Sequence, residues 1–142
     1  MPAKPAIDID LRQRREVAVR RLVDAINDGD PAEAADVFER PRFELVGLHR
    51  VYDGRDEVIG YLTERRRAFP DQRYELIALH HADTAVIAEF WLMGTQHAEI
   101  AGVPPSGKAF RCRMAAFFEF AGEGLICQRL YFDVGTIARQ LA

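Results

Sequence analysis

A change in hydrophobic periodicity along the chain is the feature that most constrains its fold. The first half repeats apolar residues at helical spacing, whereas the second half consists of long runs rich in Val, Ile, Phe, Tyr and Trp. Short turn sequences separate those runs, which predicts a meander of long antiparallel strands. Helices that precede such a meander predict an α+β fold, with amphipathic helices lying on one face of a curved antiparallel sheet. The predicted long strands are 73–81, 84–97, 108–120 and 125–133.

Three helices are predicted in the first half of the chain. Apolar residues recur at helical spacing over 8–27, which indicates a long amphipathic first helix. Asp30 and Pro31 supply a capping residue and a first-turn proline for a short second helix. Asp53 is predicted to cap a third helix, which Pro70 ends. The remaining short elements are predicted strands over 43–46 and 51–52 and a C-terminal helix over 135–142.

Length and charge limit the classes of function. With 142 residues and 49% hydrophobic residues, the chain is predicted to form a single domain over 1–142, with residues 1–7 as a flexible tail. A net charge of −3 supplies no general attraction to nucleic acid or to anionic membranes, so neither is an expected partner. The sequence shows neither a secretory signal nor a membrane-spanning apolar run, and a cytoplasmic location is therefore expected.

The cysteines and histidines do not form a metal-binding pattern. Cys112 and Cys127 lack the close Cys or His neighbours that a zinc site requires, and both are predicted to be buried free thiols. His80 and His81 are adjacent on a strand, so their side chains point to opposite faces, and we interpret the pair as surface residues. No metal and no organic cofactor is expected.

Four segments carry a resemblance to a known family: 25–30, 51–58, 93–107 and 131–141. Their residues include Ala25-Ile26-Asn27-Asp28-Gly29-Asp30, Val51-Tyr52-Asp53-Gly54-Arg55-Asp56-Glu57-Val58, Met93-Gly94-Thr95-Gln96-His97 and Tyr131-Phe132-Asp133. In this order they resemble the nuclear transport factor two-like cone fold, and in particular its SnoaL-like polyketide cyclase branch, from about Val17 onward. The resemblance implies a cone-shaped sheet packed on three N-terminal helices, with a short C-terminal helix. It also implies that Asp133 matches the aspartate used by SnoaL-like cyclases as general acid/base for an intramolecular aldol closure.

The last hairpin can be placed in register from its turn. If Gly122-Glu123 forms a two-residue loop, Tyr131 and Asp133 share the inner face of the sheet with Cys112 and Met114. This register also separates the two cysteines, so that no disulfide joins them. The predicted cross-strand pairs are Cys112 with Asp133, Met114 with Tyr131 and Phe118 with Cys127.

Asp133 has two alternative roles. On an apolar inner face, desolvation would raise the pKa of the carboxyl and suit Asp133 to proton abstraction next to a carbonyl. Alternatively, Asp133 caps the C-terminal helix, which is an ordinary role for an aspartate just before a helix. In the first of these alternatives, the catalytic one, Tyr131 or His97 would donate a hydrogen bond to the substrate.

The remaining candidates are predicted to line the same cavity. Gln96 lies where a strand leaves the sheet, and His49 and Tyr52 flank a short strand that approaches the cavity. Phe90 and Leu92 alternate with Trp91 and Met93, so one set faces inward and the other faces outward. The predicted ligand-binding residues are Gln96, Cys112, Met114, His49, Tyr52, Phe90 and Leu92.

Two functions follow from these residues. The first is a cofactor-independent cyclase or isomerase in which Asp133 acts on a small, mostly apolar, carbonyl-bearing molecule. The second is a non-catalytic domain of the same fold, which binds a small ligand or forms a homodimer through the outer face of the sheet. The surroundings of Asp133 distinguish them.

Overall fold

The computed structural model describes residues 6–142, which form four α-helices and six strands. The helices are α1 Ile9–Asp28, α2 Pro31–Val37, α3 Arg55–Ala68 and α4 Val134–Leu141. The strands are β1 Arg42–Leu45, β2 Arg50–Asp53, β3 Arg73–His81, β4 Ala85–Thr95, β5 Ala109–Ala121 and β6 Gly124–Phe132. A single 3₁₀ turn, Val46–Leu48, joins β1 to β2.

The strands form one curved, unclosed sheet in the order β2-β1-β6-β5-β4-β3. All neighbouring strands are antiparallel except β1 and β6, which are parallel. α1 packs against β3, β4 and β6, and α3 packs against β1 and β2, so the helices cover the concave face. The α+β cone fold is confirmed.

Local sequence signals explain most helix ends. Asp8 accepts a hydrogen bond from the Leu11 amide at 2.9 Å, and Asp30 accepts one from the Glu33 amide at 2.8 Å. The prediction for Asp53 was wrong, because Gly54, with φ of +90°, is the residue that precedes the first turn of α3. A glycine reaches this backbone conformation without the steric cost that a side chain would add.

The core lies between the helices and the concave face of the sheet. Alternate residues of β4 and β5 are buried there, as the period of two along a strand requires. Phe43, Phe90 and Phe118 are fully buried, and burial of each contributes about 1.5–3 kcal/mol. We call the space bounded by these residues and the helices the cone interior.

The predicted register of the last hairpin was wrong beyond its first pairs. Ala121 pairs with Gly124 and Phe120 with Leu125 as predicted, but a β-bulge follows, and Glu119 pairs with Cys127. A bulge adds one residue to one strand, and a shift of one residue exchanges the two faces. In the structure Met114 pairs with Phe132, Phe118 with Gln128 and Ala115 with Tyr131.

The bulge places the two cysteines on opposite faces of the sheet. Cys112 lies on the concave face, paired with Leu92, whereas Cys127 pairs with Glu119 on the convex face. Both are buried and free, as predicted. None of the helices in residues 6–142 combines the length and the low charge needed to cross a bilayer. The predicted flexible tail, 1–7, stays a prediction, since 1–5 lie outside the described residues.

Candidate functional site

Asp133 lies at the N-terminus of α4, where it is solvent-exposed and caps the helix. Its carboxylate accepts hydrogen bonds from the Thr136 hydroxyl at 2.7 Å and from the Gly135 amide at 3.0 Å. These bonds, together with the charge of Arg139, lower the pKa of Asp133. The structure therefore gives Asp133 a stabilised charge, which makes it a weaker base than the carboxylate that a desolvated inner face would produce.

The two predicted hydrogen-bond donors also lie outside the cone interior. Tyr131 is on the convex face and 40% exposed. Its ring packs edge-on against Phe117 and its hydroxyl accepts a hydrogen bond from Arg129 at 3.1 Å. His97 is exposed just after β4, where its backbone amide donates to the Ala68 carbonyl. The structure does not bring Asp133, Tyr131 and His97 together on one face.

Gln96 is fully buried and braces the loop between β4 and β5. Its nitrogen donates to the carbonyls of Ala98 and Val103, the latter at 3.0 Å. Its oxygen accepts from both the amide and the hydroxyl of Ser106. All polar atoms of this amide have protein partners, which is the arrangement expected of a structural residue.

The two candidates near β2 differ in their placement. His49 is exposed and has a left-handed backbone conformation, with φ of +51°, after the 3₁₀ turn. Tyr52 is half-buried, and its ring stacks on that of Tyr61 with 4.6 Å between centroids. Tyr52 therefore contacts the interior through Tyr61, whereas His49 does not.

Four predicted ligand-binding residues do come together on the concave face. Phe90 pairs with Met114 and Leu92 pairs with Cys112, and all four are buried. Burial raises the pKa of the Cys112 thiol, Arg65 opposes that shift, and the nearby charge of Asp133 adds to it. Asp133 thus stands close enough to this end of the interior to influence Cys112, although its own side chain is in solvent.

Three interior polar residues were missed by the sequence analysis as site candidates: Tyr61, Tyr74 and Gln128. Tyr61 packs against Phe43 and Tyr74 against Phe90, with 5.5 Å between centroids in each case. Burial raises the pKa of both phenols, so both are neutral hydroxyl groups at physiological pH. Tyr61 lies at helical spacing from Val58 and Leu62, a signal that the sequence contains, whereas the inward position of Gln128 depends on the bulge.

Gln128 lies in the middle of the sheet, between Phe118 on β5 and Phe43 on β1. It is fully buried, and neither its amide oxygen nor its amide nitrogen has a hydrogen-bond partner. The amide is close enough to Tyr74 to lower the pKa of that phenol, against the larger effect of burial. The interior thus contains a neutral polar side chain next to the Tyr74 hydroxyl.

Arg15, 5% exposed, is the one buried charged residue among residues 6–142, and the other charged groups stay at the boundary of the interior. The half-buried Arg65 donates two hydrogen bonds to the Gln72 side-chain oxygen, at 2.7 and 3.1 Å, and stacks on Phe69. His81, predicted at the surface, is instead largely buried and 2.7 Å from Glu16. In residues 6–142 no carboxylate is fully buried, and no group of three or more His, Cys, Asp or Glu side chains is placed to hold a metal ion.

A small crevice separates the helices beside Arg65. Ile26, Ala34 and Leu62 are among the residues that line it, and its volume is about 20 Å³. This is room for about one water molecule, so the crevice is too small for an organic ligand.

Comparison with known proteins places these features in a family. The family model of the SnoaL-like polyketide cyclases matches residues 16–141. No curated protein matches the chain.

Solved structures with the same fold are numerous. A candidate polyketide cyclase from Xanthomonas campestris pv. campestris has a TM-score of 0.83 and 20% identity, over 93% of this chain and 99% of that one. A phenazine biosynthesis-related protein from Pseudomonas aeruginosa has a TM-score of 0.80 and 17% identity, over 99% and 88%. A Catenulispora acidiphila protein with a ketosteroid isomerase-like fold has a TM-score of 0.76 and 14% identity, over 87% and 90%. At these identities the likeness extends to the fold alone.

Proposed function

Because this chain belongs to the SnoaL-like polyketide cyclase family, we propose that it binds a small, largely apolar, carbonyl-bearing molecule inside the cone. The observation that carries this proposal is the composition of the interior. Among its polar groups are the neutral Tyr61, Tyr74 and Gln128, and its walls are largely aromatic and aliphatic. A neutral apolar molecule with a few hydrogen-bonding groups matches such a site, because burying an unpaired charge there would cost much more than burying a carbonyl.

Neutral phenols also suit carbonyl chemistry. A hydroxyl with a raised pKa stays protonated, so Tyr74 or Tyr61 can donate a hydrogen bond to a carbonyl oxygen without losing its proton. Such a bond strengthens as negative charge develops on that oxygen, which is the step that cyclases and isomerases of this type must stabilise. Binding in this interior is therefore compatible with either a non-catalytic ligand-binding protein or an enzyme.

Catalysis is the second candidate function, with Asp133 as the base. Two observations favour it: the family membership and the electrostatic influence of Asp133 on Cys112 at the edge of the interior. In this alternative the carboxylate releases Thr136 and Gly135 to reach the substrate. His97 or Tyr131 would serve as donor, although both side chains are exposed in the structure.

Two methionines, one on each face of the sheet, provide a direct test of binding. Met114 lies on the concave face and Met93 on the convex face. In protein labelled with ¹³C at methionine methyl groups, titration with 1-indanone is expected to shift the Met114 signal and leave that of Met93 unchanged. Because the chain has three methionines, the Met114→Leu and Met93→Leu variants together assign the signals. If only Met93 responds, or if no methyl signal moves up to the solubility limit, the proposal is wrong.

A turnover measurement distinguishes an enzyme from a non-catalytic ligand-binding protein. Once a bound carbonyl compound is found that is converted, Asp133→Asn is expected to abolish conversion and to leave binding nearly unchanged if Asp133 is the base. Unaltered conversion would exclude Asp133 as the base, and the binding proposal would remain.

Homodimerisation through the convex face stays a prediction. Trp91 lies there, with the Arg111 guanidinium 3.6 Å and that of Arg113 5.0 Å from its ring centroid. Trp and Arg are enriched in protein interfaces. Sedimentation equilibrium is expected to show dimers that Trp91→Glu dissociates, and a monomer at high concentration would contradict this prediction.

A further inference from the structure

We infer that α4 is the gate of the cone: it detaches from β5, and a ligand enters the interior through that opening and binds while α4 is detached. This inference rests on the proposed function, since it assumes that a ligand binds in the interior. It adds the route of entry and the element that controls access. The juxtaposition that supports it is a helix with one buried residue, Leu141, lying against the strand whose Cys112 is part of the concave face.

The closed interior leaves a ligand almost no room. The side chains of Phe90, Leu92, Cys112 and Met114 are at most 4% exposed, so hardly any water-sized space lies against them. The crevice beside Arg65 has room for about one water molecule. A bicyclic ketone can therefore reach these four side chains only after an element of the fold has moved.

α4 lies beside β5 where β6 has ended. β6 stops pairing with β5 at Met114, opposite Phe132, and residues 109–113 of β5 extend beyond that pair. There the Gln140 side chain accepts a hydrogen bond from the Arg111 amide at 2.6 Å and donates one to the Arg111 carbonyl at 3.0 Å. One side chain thus supplies the backbone bonds that a further strand residue would make.

The same type of contact joins α1 to β3, which allows the two helices to be compared. Asn27 accepts a hydrogen bond from the Tyr74 amide at 2.8 Å and donates one to the Tyr74 carbonyl at 2.9 Å. The helices differ in their burial: α1, α3 and α2 have six, four and two buried residues, whereas α4 has one. Regions with few buried apolar contacts open most readily. We therefore expect α4 to detach much more often than α1.

Detachment of α4 involves a small set of contacts with β5 and the core. It breaks the two Gln140 hydrogen bonds and the one that Lys108 donates to the Ala142 carbonyl. It also withdraws the buried Leu141 and the half-buried Ile137 from the core. The space that these two aliphatic side chains leave suits a small apolar ligand.

The thiol of Cys112 reports the opening. Cys112 and Cys127 are the only cysteines of the chain, so Cys127→Ala leaves Cys112 as the single thiol of the full-length protein. Cys112 is buried and directly follows Arg111, the residue that Gln140 holds. A buried thiol reacts with Ellman's reagent only in a form of the protein that exposes it. We expect a reaction rate that low urea concentrations leave nearly unchanged, because a local opening exposes little surface.

Gln140→Ala and Asn27→Ala are matched variants, because each removes one side-chain amide that makes two bonds to a strand. We expect Gln140→Ala to raise the reaction rate of Cys112 about tenfold, since two ordinary hydrogen bonds together are worth about that factor. Asn27→Ala should lower the urea midpoint of global unfolding and leave the Cys112 rate within about twofold, since local detachment of α4 does not break its bonds. Leu141→Ala, a second variant of α4, should also raise the rate.

Ligand binding should respond by the same factor. If a ligand binds only while α4 is detached, its apparent affinity is proportional to the detached fraction. We expect 1-indanone, followed by the Met114 methyl shift, to bind about ten times more tightly to Gln140→Ala than to the wild-type protein. Asn27→Ala should leave this affinity within about twofold.

The outcomes distinguish this inference from the proposed function. An unchanged Cys112 rate in Gln140→Ala, or equal increases in Gln140→Ala and Asn27→Ala, would show that α4 does not open separately and would overturn the inference. A faster thiol reaction with unchanged affinity for 1-indanone would overturn entry beside α4. In each of these cases a Met114 shift in the wild-type protein would leave the proposed function intact. If 1-indanone shifts Met114 neither in the wild-type protein nor in Gln140→Ala, both fail.

Discussion

Two glutamines in this protein are equally buried and have opposite surroundings. Gln96, at the exit of β4, makes four hydrogen bonds that hold the 97–107 loop against the sheet. Gln128, in the middle of β6, makes none. Both side chains are fully inaccessible to solvent. Burial alone therefore does not show how an amide contributes to the stability of the fold.

The difference lies in what surrounds each amide. A loop brings backbone carbonyls and amides that have no strand partners, and Gln96 satisfies several of them at once. A central strand has its backbone already paired, so the neighbours of Gln128 are aromatic side chains. A polar residue in the first setting stabilises the fold, whereas in the second it reduces stability unless another molecule completes its bonds.

Gln96→Met should have the largest effect on stability. It leaves the carbonyls of Ala98 and Val103 and the amide of Ser106 without their partner, and we expect a loss of about 2 kcal/mol in the free energy of unfolding. Urea denaturation measures this loss. An unchanged midpoint would show that the loop is not held by Gln96.

Gln128→Met should change stability in the opposite direction. Because it removes a buried amide without breaking a hydrogen bond, we expect a gain of about 1 kcal/mol in the free energy of unfolding. The Gln96→Met variant, measured under the same conditions, is its matched control. Two losses of similar size would mean that both glutamines are structural and would remove the contrast between them.

Ser106→Ala should produce a smaller loss than Gln96→Met. The Ser106 hydroxyl donates to Gln96 at 3.0 Å and accepts from the Lys108 amide at 3.1 Å. We expect a loss of about 1 kcal/mol, with Ser106→Thr retaining most of the stability because it keeps the hydroxyl. In the Gln96→Met background the effect of Ser106→Ala should shrink, since the two residues share a bond.

Asp133→Asn should have the smallest effect at neutral pH, because asparagine caps helices about as well as aspartate. The pKa of Asp133 is lowered in the folded protein, so its charge contributes stability above the unfolded pKa of about 3.9. That contribution is lost as the pH falls through the lower folded pKa.

The wild-type protein, about as stable as Asp133→Asn at neutral pH, should therefore become the less stable of the two as the pH falls below about 3.9. Carboxyl ¹³C NMR measures the same pKa directly. A raised value would contradict the capping geometry and restore the case for a desolvated base.

The sequence predicted the features that depend on local interactions better than those that depend on contacts between distant parts of the chain. The four long strands, the aspartate cap at Asp30 and the inward set Phe90 and Leu92 follow from periods and local hydrogen bonds, and the structure confirms them. The cap at Asp53 failed because Gly54 has a conformation that a capping pattern does not reveal. In the last hairpin the turn was right and the register was wrong after two pairs.

The sequence by itself determined the order of the elements, the face of each helix and the membership in the family, because each depends on patterns within a segment or a few segments. Tertiary structure alone decided which side of β6 faces the interior. A single unpaired residue in that strand moved Tyr131 outward and Gln128 inward. A bulge forms where packing across several strands favours it over a regular ladder, and no spacing within one strand records that balance.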